Sequence, residues 1–194
     1  MMEQIAQEIH QQGWSYQQLV VDNLRLKSLD HLFATDFRPA QVGSDSRRQR
    51  AEAIRGDWTR WLDPQNPPTE LIPEMQFLRE LMQEFNRKFY MGLKDFECHL
   101  AKYPPGSFYK KHLDRFEKDS SRSISFVFYL HEAWEKNDGG ELVLYTQQDE
   151  IIKTILPEPG SMIVFLSDEF PHEVKISSKE RRSLTGWMHT KILT

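Results

Sequence analysis

The chain predicts an α+β protein, mainly β with N-terminal helices, whose C-terminal half rolls into a double sheet of the jelly-roll kind. Three observations predict it. Apolar stripes at helical spacing are confined to the first 92 residues. From Phe96 onward the pattern changes to eight short segments, FECHLAKY, SFYKKHLD, SISFVFYL, GELVLYT, EIIKTILP, GSMIVFL, HEVKI and RRSLTGWMHT, set apart by Pro-Gly, Asn-Asp-Gly-Gly and Pro-Glu-Pro-Gly turns. A small β-sandwich would show the same count. What separates the two is a set of metal-ligand residue types: His112 and Asp114 sit on an early segment and His172 on a late one, and they meet only if the sheet rolls up.

At 194 residues the chain reads as one domain, 1–194, with a supporting part over 1–92 and a β core over 96–190. Repeats and low-complexity tracts are absent. A formal charge of −4 supplies no overall electrostatic attraction for nucleic acid. Nothing resembles an eighteen-residue apolar run, and the start MMEQIAQEIHQQ is too polar for a secretory signal, so a cytoplasmic monomer without a membrane partner is expected. Cys98 is the single cysteine, which excludes an intrachain disulfide and a thiolate cluster; it reads as a small buried strand residue.

Taken in order, residues 2–12 read as a helix with Ile5 and Ile9 four apart, stopped by Gly13. Residues 14–21 read as a strand or extended piece. A helix over 24–33 follows, with Leu24, Leu26, Leu29, Leu32 and Phe33 on one broad side. The stretch 35–68 differs in kind. It mixes Arg38, Arg47, Arg48, Arg50, Arg55 and Arg60 with Asp36, Asp45, Glu52, Asp57 and Asp63, as a solvated loop would. Within it, however, IRGDWTRW places Trp58 and Trp61 three apart, and such side chains need apolar cover. Pro73 suits the first turn of a further helix, in which Met75, Phe77, Leu78, Leu81, Met82, Phe85 and Phe89 form one stripe until Gly92. These helices are expected to pack on the outside of the larger sheet.

The chemistry lies between Tyr103 and Trp187. Alternation along a strand puts His112 and Asp114 on one face. Two imidazoles and one carboxylate fill three sites of an octahedron and leave the opposite face open, the pattern of a non-haem iron(II) centre. In RRSLTGW, Arg181, Ser183, Thr185 and Trp187 share a strand face, so an arginine can point into the cavity that holds the metal. A guanidinium there needs an anion, and its planar fork matches a carboxylate. Ser125, Val127 and Tyr129 share a face of SISFVFY. His99 and His189 fall outside the ligand motif and read as satisfied structural histidines; His31 and His131 read as surface. Gly139-Gly140-Glu141-Leu142 reads as the tight entry to a strand.

On these residues, roughly 35–190 resembles the double-stranded β-helix core of the iron(II) and 2-oxoglutarate-dependent dioxygenases. It is most similar to the prolyl 4-hydroxylase group of the oxygen-sensing enzymes and their bacterial relatives. The resemblance implies that His112, Asp114 and His172 bind iron and that Arg181 binds the far carboxylate of 2-oxoglutarate. The family's RxxxTxW register falls on Arg181, Thr185 and Trp187, and strand parity turns Arg182 outward. Tyr129 and Thr185 are implied to help Arg181, Tyr103 to lie near the cosubstrate, Leu142 to wall the cavity through a GGxL match, and Tyr109 to line the peptide mouth. Ser44-Asp45-Ser46 and Ile54-Arg55-Gly56-Asp57 match a family segment that folds over the active site. This implies a mobile lid over about 41–63, with Arg55 and Asp57 near substrate and Asp57 paired with Arg122 at the start of a core strand.

The implied reaction is hydroxylation of a prolyl residue in a protein, with Fe(II), 2-oxoglutarate and dioxygen consumed to give succinate and carbon dioxide, and with translation elongation factor Tu as a candidate substrate. Two other readings stand beside it. One is an oxygenase of the same superfamily acting on a small molecule or a nucleic-acid base, which the arginines between 38 and 60 keep open although no nucleic-acid partner is expected from the charge. The other is a non-enzymatic, cupin-like metal-binding barrel, which would leave Arg181, Tyr129 and Thr185 without a task.

Overall fold

Helix α1 (Met2–Gln12) buries Ile5, Ala6 and Ile9 and ends at Gly13, whose left-handed φ of 78° lets its N–H reach the Ile9 carbonyl. The computed structural model describes residues 1–19, 23–41, 53–114 and 121–193. The single helix expected over 24–33 is instead α2 (Asn23–Ser28) followed by a 3₁₀ turn, Asp30–Phe33. Leu26, Leu29 and Leu32 recur every third residue and are all buried, which matches three residues per turn; Leu24 falls outside that repeat and is 80% exposed. Helix α3 (Ile72–Phe89) carries Pro73 in its first turn and buries Met75, Leu78, Leu81 and Phe85. It stops at Tyr90, in left-handed conformation at φ 53°, two residues before Gly92.

Each of the eight core segments contains one strand: β4 (Asp95–Tyr103), β5 (Tyr109–His112), β6 (Arg122–Tyr129), β7 (Leu142–Tyr145), β8 (Ile151–Ile155), β9 (Ser161–Leu166), β10 (His172–Val174) and β11 (Arg181–His189). Three more come from the N-terminal part: β1 (Trp14–Gln18), β2 (Arg38–Pro39) and β3 (Trp58–Leu62). The antiparallel major sheet runs β1-β9-β6-β11-β4-β3-β2, and the minor sheet runs β5-β10-β7-β8. The division into helical support and β core is therefore too simple, because β1 to β3 extend both edges of the major sheet. β3 also corrects the lid expected over 41–63: residues 58–62 hydrogen-bond along β4, from Trp58 opposite Lys102 to Leu62 opposite Cys98. Residues 42–52, including Ser44-Asp45-Ser46 and the arginines at 47, 48 and 50, lie outside the described residues.

The two faces of the major sheet have different jobs. Cys98, Leu100, Phe126, Phe128, Leu184 and Met188 face α1 and α3 in the main apolar core. The alternate residues of the same strands face the minor sheet. Burying about 25 cal/mol per Å² of apolar surface on the helix side holds the sheet stiff, so the inner face can carry polar groups in fixed positions.

Candidate active site

His112 on β5 and His172 on β10 are direct cross-strand partners, and Asp114 follows two residues after His112. The rolled sheet thus makes neighbours of residues sixty apart. Nε2 of His112 lies 3.5 Å from Asp114 Oδ1, and Nε2 of His172 lies 3.5 Å from Asp114 Oδ2. One ligand atom from each of the three falls within 4.8 Å of the others. Each imidazole donates from Nδ1 to a backbone carbonyl, His112 to Lys110 at 2.8 Å and His172 to Phe170 at 3.0 Å. Both rings therefore turn an Nε2 lone pair toward the carboxylate, as neutral metal-ligating imidazoles do. Burial lowers the His172 pKa to about 4 against the pull of Asp114. Burial pushes the Asp114 carboxyl up, but facing His172, His112 and the Ser125 hydroxyl more than reverse this and hold it below the usual carboxylate range. A cluster of lone pairs converging this closely in a buried place fits a cation at its centre.

Asp114 is itself oriented. Ser125 donates to its Oδ2 at 2.7 Å, and the buried Ser167 lies 2.8 Å from Ser125, donating in turn since the Ser125 proton is already committed. Ser167 went unnoticed in the sequence; its only signal was a position just after β9. Phe165 sets its ring edge against His172 at 4.8 Å.

Across a cavity of about 200 Å³ from this cluster stands Arg181, only 2% exposed. Its Nε donates to the Gly140 carbonyl at 3.1 Å, and the guanidinium carbon lies 4.9 Å from the Tyr129 ring centre and 5.1 Å from that of Tyr103. Gly140 permits this approach: its φ is +71°, and a β-carbon there would come 3.0 Å from Trp134 and 3.3 Å from Arg181. Among the described residues no carboxylate pairs with Arg181, and the buried Tyr129 hydroxyl beside the guanidinium has no acceptor for its own proton. A buried cation beside an unused donor fits an anionic ligand. Ser183, Thr185 and Trp187 line the same cavity, as do Tyr103, Val127 and Leu142. Thr185 donates to Phe126 O at 3.0 Å, which leaves its oxygen as an acceptor. Arg182 points away, paired with Asp30 and Glu180.

The expected Asp57–Arg122 pair does not form. Asp57, 2% exposed, takes both oxygens to Arg55, at 2.6 Å from Nε and 2.6 Å from Nη2. Arg122 pairs with Glu97 at 2.7 Å and lies 3.7 Å over the Trp187 ring. The reason is local. Residues 54–56 lie along β5, with Lys110 N–H donating to Ile54 O and Gly56 N–H to Phe108 O, which brings Arg55 over Tyr109 at 4.1 Å and within reach of Asp57. Tyr109 stacks on His112 at 3.6 Å, so this segment is coupled to the His–Asp–His group through one aromatic ring. The tryptophans expected to need cover remain 40% (Trp58) and 55% (Trp61) exposed.

Two histidine readings also change. His131 is buried, not superficial; it donates from Nε2 to Pro157 O and accepts the Arg182 N–H on Nδ1. His189 is satisfied by Ser121 and Glu97, as expected. His99 is buried but leaves Nδ1 without a partner.

Residues 98–189 match the model of the 2OG-Fe(II) oxygenase superfamily. The crystal structure of a Pseudomonas putida prolyl-4-hydroxylase superposes with a TM-score of 0.85 at 34% identity, covering 99% of this chain and 100% of that one. The chain belongs to the 2OG-Fe(II) oxygenase superfamily. A Trichoplax adhaerens prolyl hydroxylase, solved with a hypoxia inducible factor peptide fragment, shares the fold of this oxygenase at 22% identity, with a TM-score of 0.78 over 97% of this chain and 89% of that one. The prolyl 3-hydroxylase OGFOD1 of Xenopus laevis is 35% identical over 77 residues, 35% of this oxygenase. The match spans 15% of that curated relative's length. The jelly-roll core of the two facing sheets and the His–Asp–His group are what this superfamily's iron chemistry needs.

Proposed function

We propose that this oxygenase hydroxylates a prolyl residue of a protein substrate, using Fe(II), 2-oxoglutarate and dioxygen. The observation that carries the reading is the arrangement of one buried cavity: a His112–Asp114–His172 group on one wall and, on the other, Arg181 with no carboxylate partner among the described residues. The prolyl assignment is supported by the likeness to the Pseudomonas putida prolyl-4-hydroxylase over 99% of this chain. The candidate substrate is translation elongation factor Tu, and the enzyme is taken to act as a monomer in the cytoplasm.

Fe(II) with 2-oxoglutarate and dioxygen supplies the oxidising chemistry, the cosubstrate leaving as succinate and carbon dioxide. The chain's own residues bind and orient. His112, Asp114 and His172 would hold the metal, with ring orientations set by Lys110 O and Phe170 O and the carboxylate set by Ser125. Arg181 would clamp the remote carboxylate of the cosubstrate in two parallel hydrogen bonds, with the Tyr129 hydroxyl as a further donor and Leu142 closing the side. Tyr103 would present its ring to the same group. Arg122, stacked over Trp187, lines the same cavity, and the two would meet the substrate chain. No protein side chain needs to take up the substrate proton, because cofactor and cosubstrate carry the hard chemistry.

The test begins without turnover. Anaerobic titration of the Fe(II) protein with 2-oxoglutarate should develop the visible charge-transfer absorption of a chelated keto acid, and His172→Ala should abolish it. Mass spectrometry of proteins from cells with and without the enzyme, searched for one added oxygen on proline, then tests the reaction. Absorption with no proline product in any protein would overturn the prolyl assignment.

A further inference from the structure

The wall between two cavities carries two polar atoms that nothing in the described chain satisfies. Alongside the His–Asp–His cavity lies a second one of about 670 Å³, bounded by β2 and β3. Gln41, Arg55, Trp61, His99 and Trp187 line both. Within that partition, His99 Nδ1 and Trp187 Nε1 are shielded from solvent and lack hydrogen-bond partners. His99 is 3% exposed, its ring 4.6 Å from that of Trp61 and 5.6 Å from that of Trp187. Burial pushes its pKa down to about 4, so the ring is neutral near pH 7. Buried polar groups are nearly always paired, so two adjacent exceptions in the wall of a functional cavity ask what pairs them.

Chemistry narrows the answer. An indole N–H only donates and therefore needs an acceptor, whereas a neutral imidazole Nδ1 donates or accepts according to tautomer. A peptide unit offers a carbonyl and an N–H side by side and meets both demands. The second cavity is lined beyond this partition by Arg38, Thr59 and Arg60, and its volume of about 670 Å³ has room for a short peptide segment. Asp36 stands there as well as Arg38 and Arg60, and Arg60 donates to the Leu32 carbonyl, so the lining offers charged groups of both signs.

We propose that the second cavity takes the polypeptide segment next to the target proline, and that His99 Nδ1, with the Trp187 N–H, hydrogen-bonds the main chain of that segment and positions it. This rests on the prolyl reading above. His99 is here a positioning and specificity-determining residue, not a metal ligand or a catalytic acid.

The probe is a proline-centred peptide library, screened with the wild-type holoenzyme by mass gain; the best peptide is then used for kinetics. Loss of one buried hydrogen bond in His99→Leu should raise the peptide KM about 5- to 30-fold. kcat should stay within about twofold, because the bond is made in ground and transition states alike. The anaerobic titration with 2-oxoglutarate reports whether each variant is folded. An asparagine amide overlies the Nδ1 position and a glutamine amide the Nε2 position, so His99→Asn should recover most peptide affinity and His99→Gln should not. Should His99→Leu fail to fold, that contrast decides alone. Wild-type peptide KM in His99→Leu, or equal behaviour of the Asn and Gln variants, overturns the subsite while leaving the prolyl reading intact. Failure of the wild type to hydroxylate any library peptide overturns the prolyl reading and the subsite with it.

Discussion

Replacing Asp57 with leucine should destabilise the fold far more than replacing its partner, and removing both should restore most of the loss. Asp57 has no exposed side-chain surface and Arg55 has 13%, with Nε and Nη2 each 2.6 Å from a carboxylate oxygen. Removing one member of such a buried pair costs about 3–5 kcal/mol, because the other charge is left without compensation. In a domain of this size each kcal/mol moves the melting temperature by about 2–4 °C, so Asp57→Leu should lower it by about 6–20 °C. Arg55→Met should cost less, since a stranded carboxylate can take up a proton whereas a stranded guanidinium cannot lose one. The double variant Arg55→Met with Asp57→Leu removes both charges and keeps much of the volume, so it should return to within about 2 kcal/mol of wild type. Urea denaturation of the four proteins at one pH supplies the numbers. Additive losses, with the double variant the least stable, would refute the reasoning and show that each residue acts through partners of its own.

Arg181→Ala should weaken 2-oxoglutarate by about 2–5 kcal/mol, some 30-fold to several thousand-fold, while Arg182→Ala, paired outside with Asp30 and Glu180, should leave its affinity near wild type. The anaerobic titration separates them, and the reverse order would put the strand register off by one. Ser125→Ala removes the donor to Asp114 Oδ2 and should cost about 10- to 100-fold in metal affinity, read from Co(II) binding isotherms; unchanged binding would show that Asp114 needs no such support. Burial lowers both His99 and His131 from 6.5 to about 4, so between those values the unfolded chain binds the extra protons. Stability is therefore present above about pH 6.5 and falls as pH drops toward 4, by up to about 1.4 kcal/mol per pH unit for each ring. Denaturation at pH 7.5, 6 and 5 should show a shallower slope for His131→Phe, and an identical slope would exclude His131 as a contributor.

Much of this molecule was legible in residue order because its signals are local. Strand alternation assigned Arg181, Ser183, Thr185 and Trp187 to one face, and the same parity turned Arg182 out. Helical spacing marked Ile5, Ile9, Met75, Leu78, Leu81 and Phe85 as core. The HxD spacing with a distant histidine pointed to the group that β5 and β10 bring together. Choices between competing partners were not legible. Asp57 had several arginines within reach of its chain, and only the docking of 54–56 along β5 made Arg55 its neighbour while Glu97, arriving from β4, occupied Arg122. His131 looked superficial because one histidine carries no pattern; it is buried since the chain after β6 turns beneath Pro157. Trp58 and Trp61 resembled part of a lid until β3 joined the edge of the sheet. The physical reason is common to all three. Periodicity is a property of a segment and survives in one dimension, whereas the partner of a charge, the depth of a lone ring and the fate of a sheet edge depend on which distant segment arrives first and fills the space.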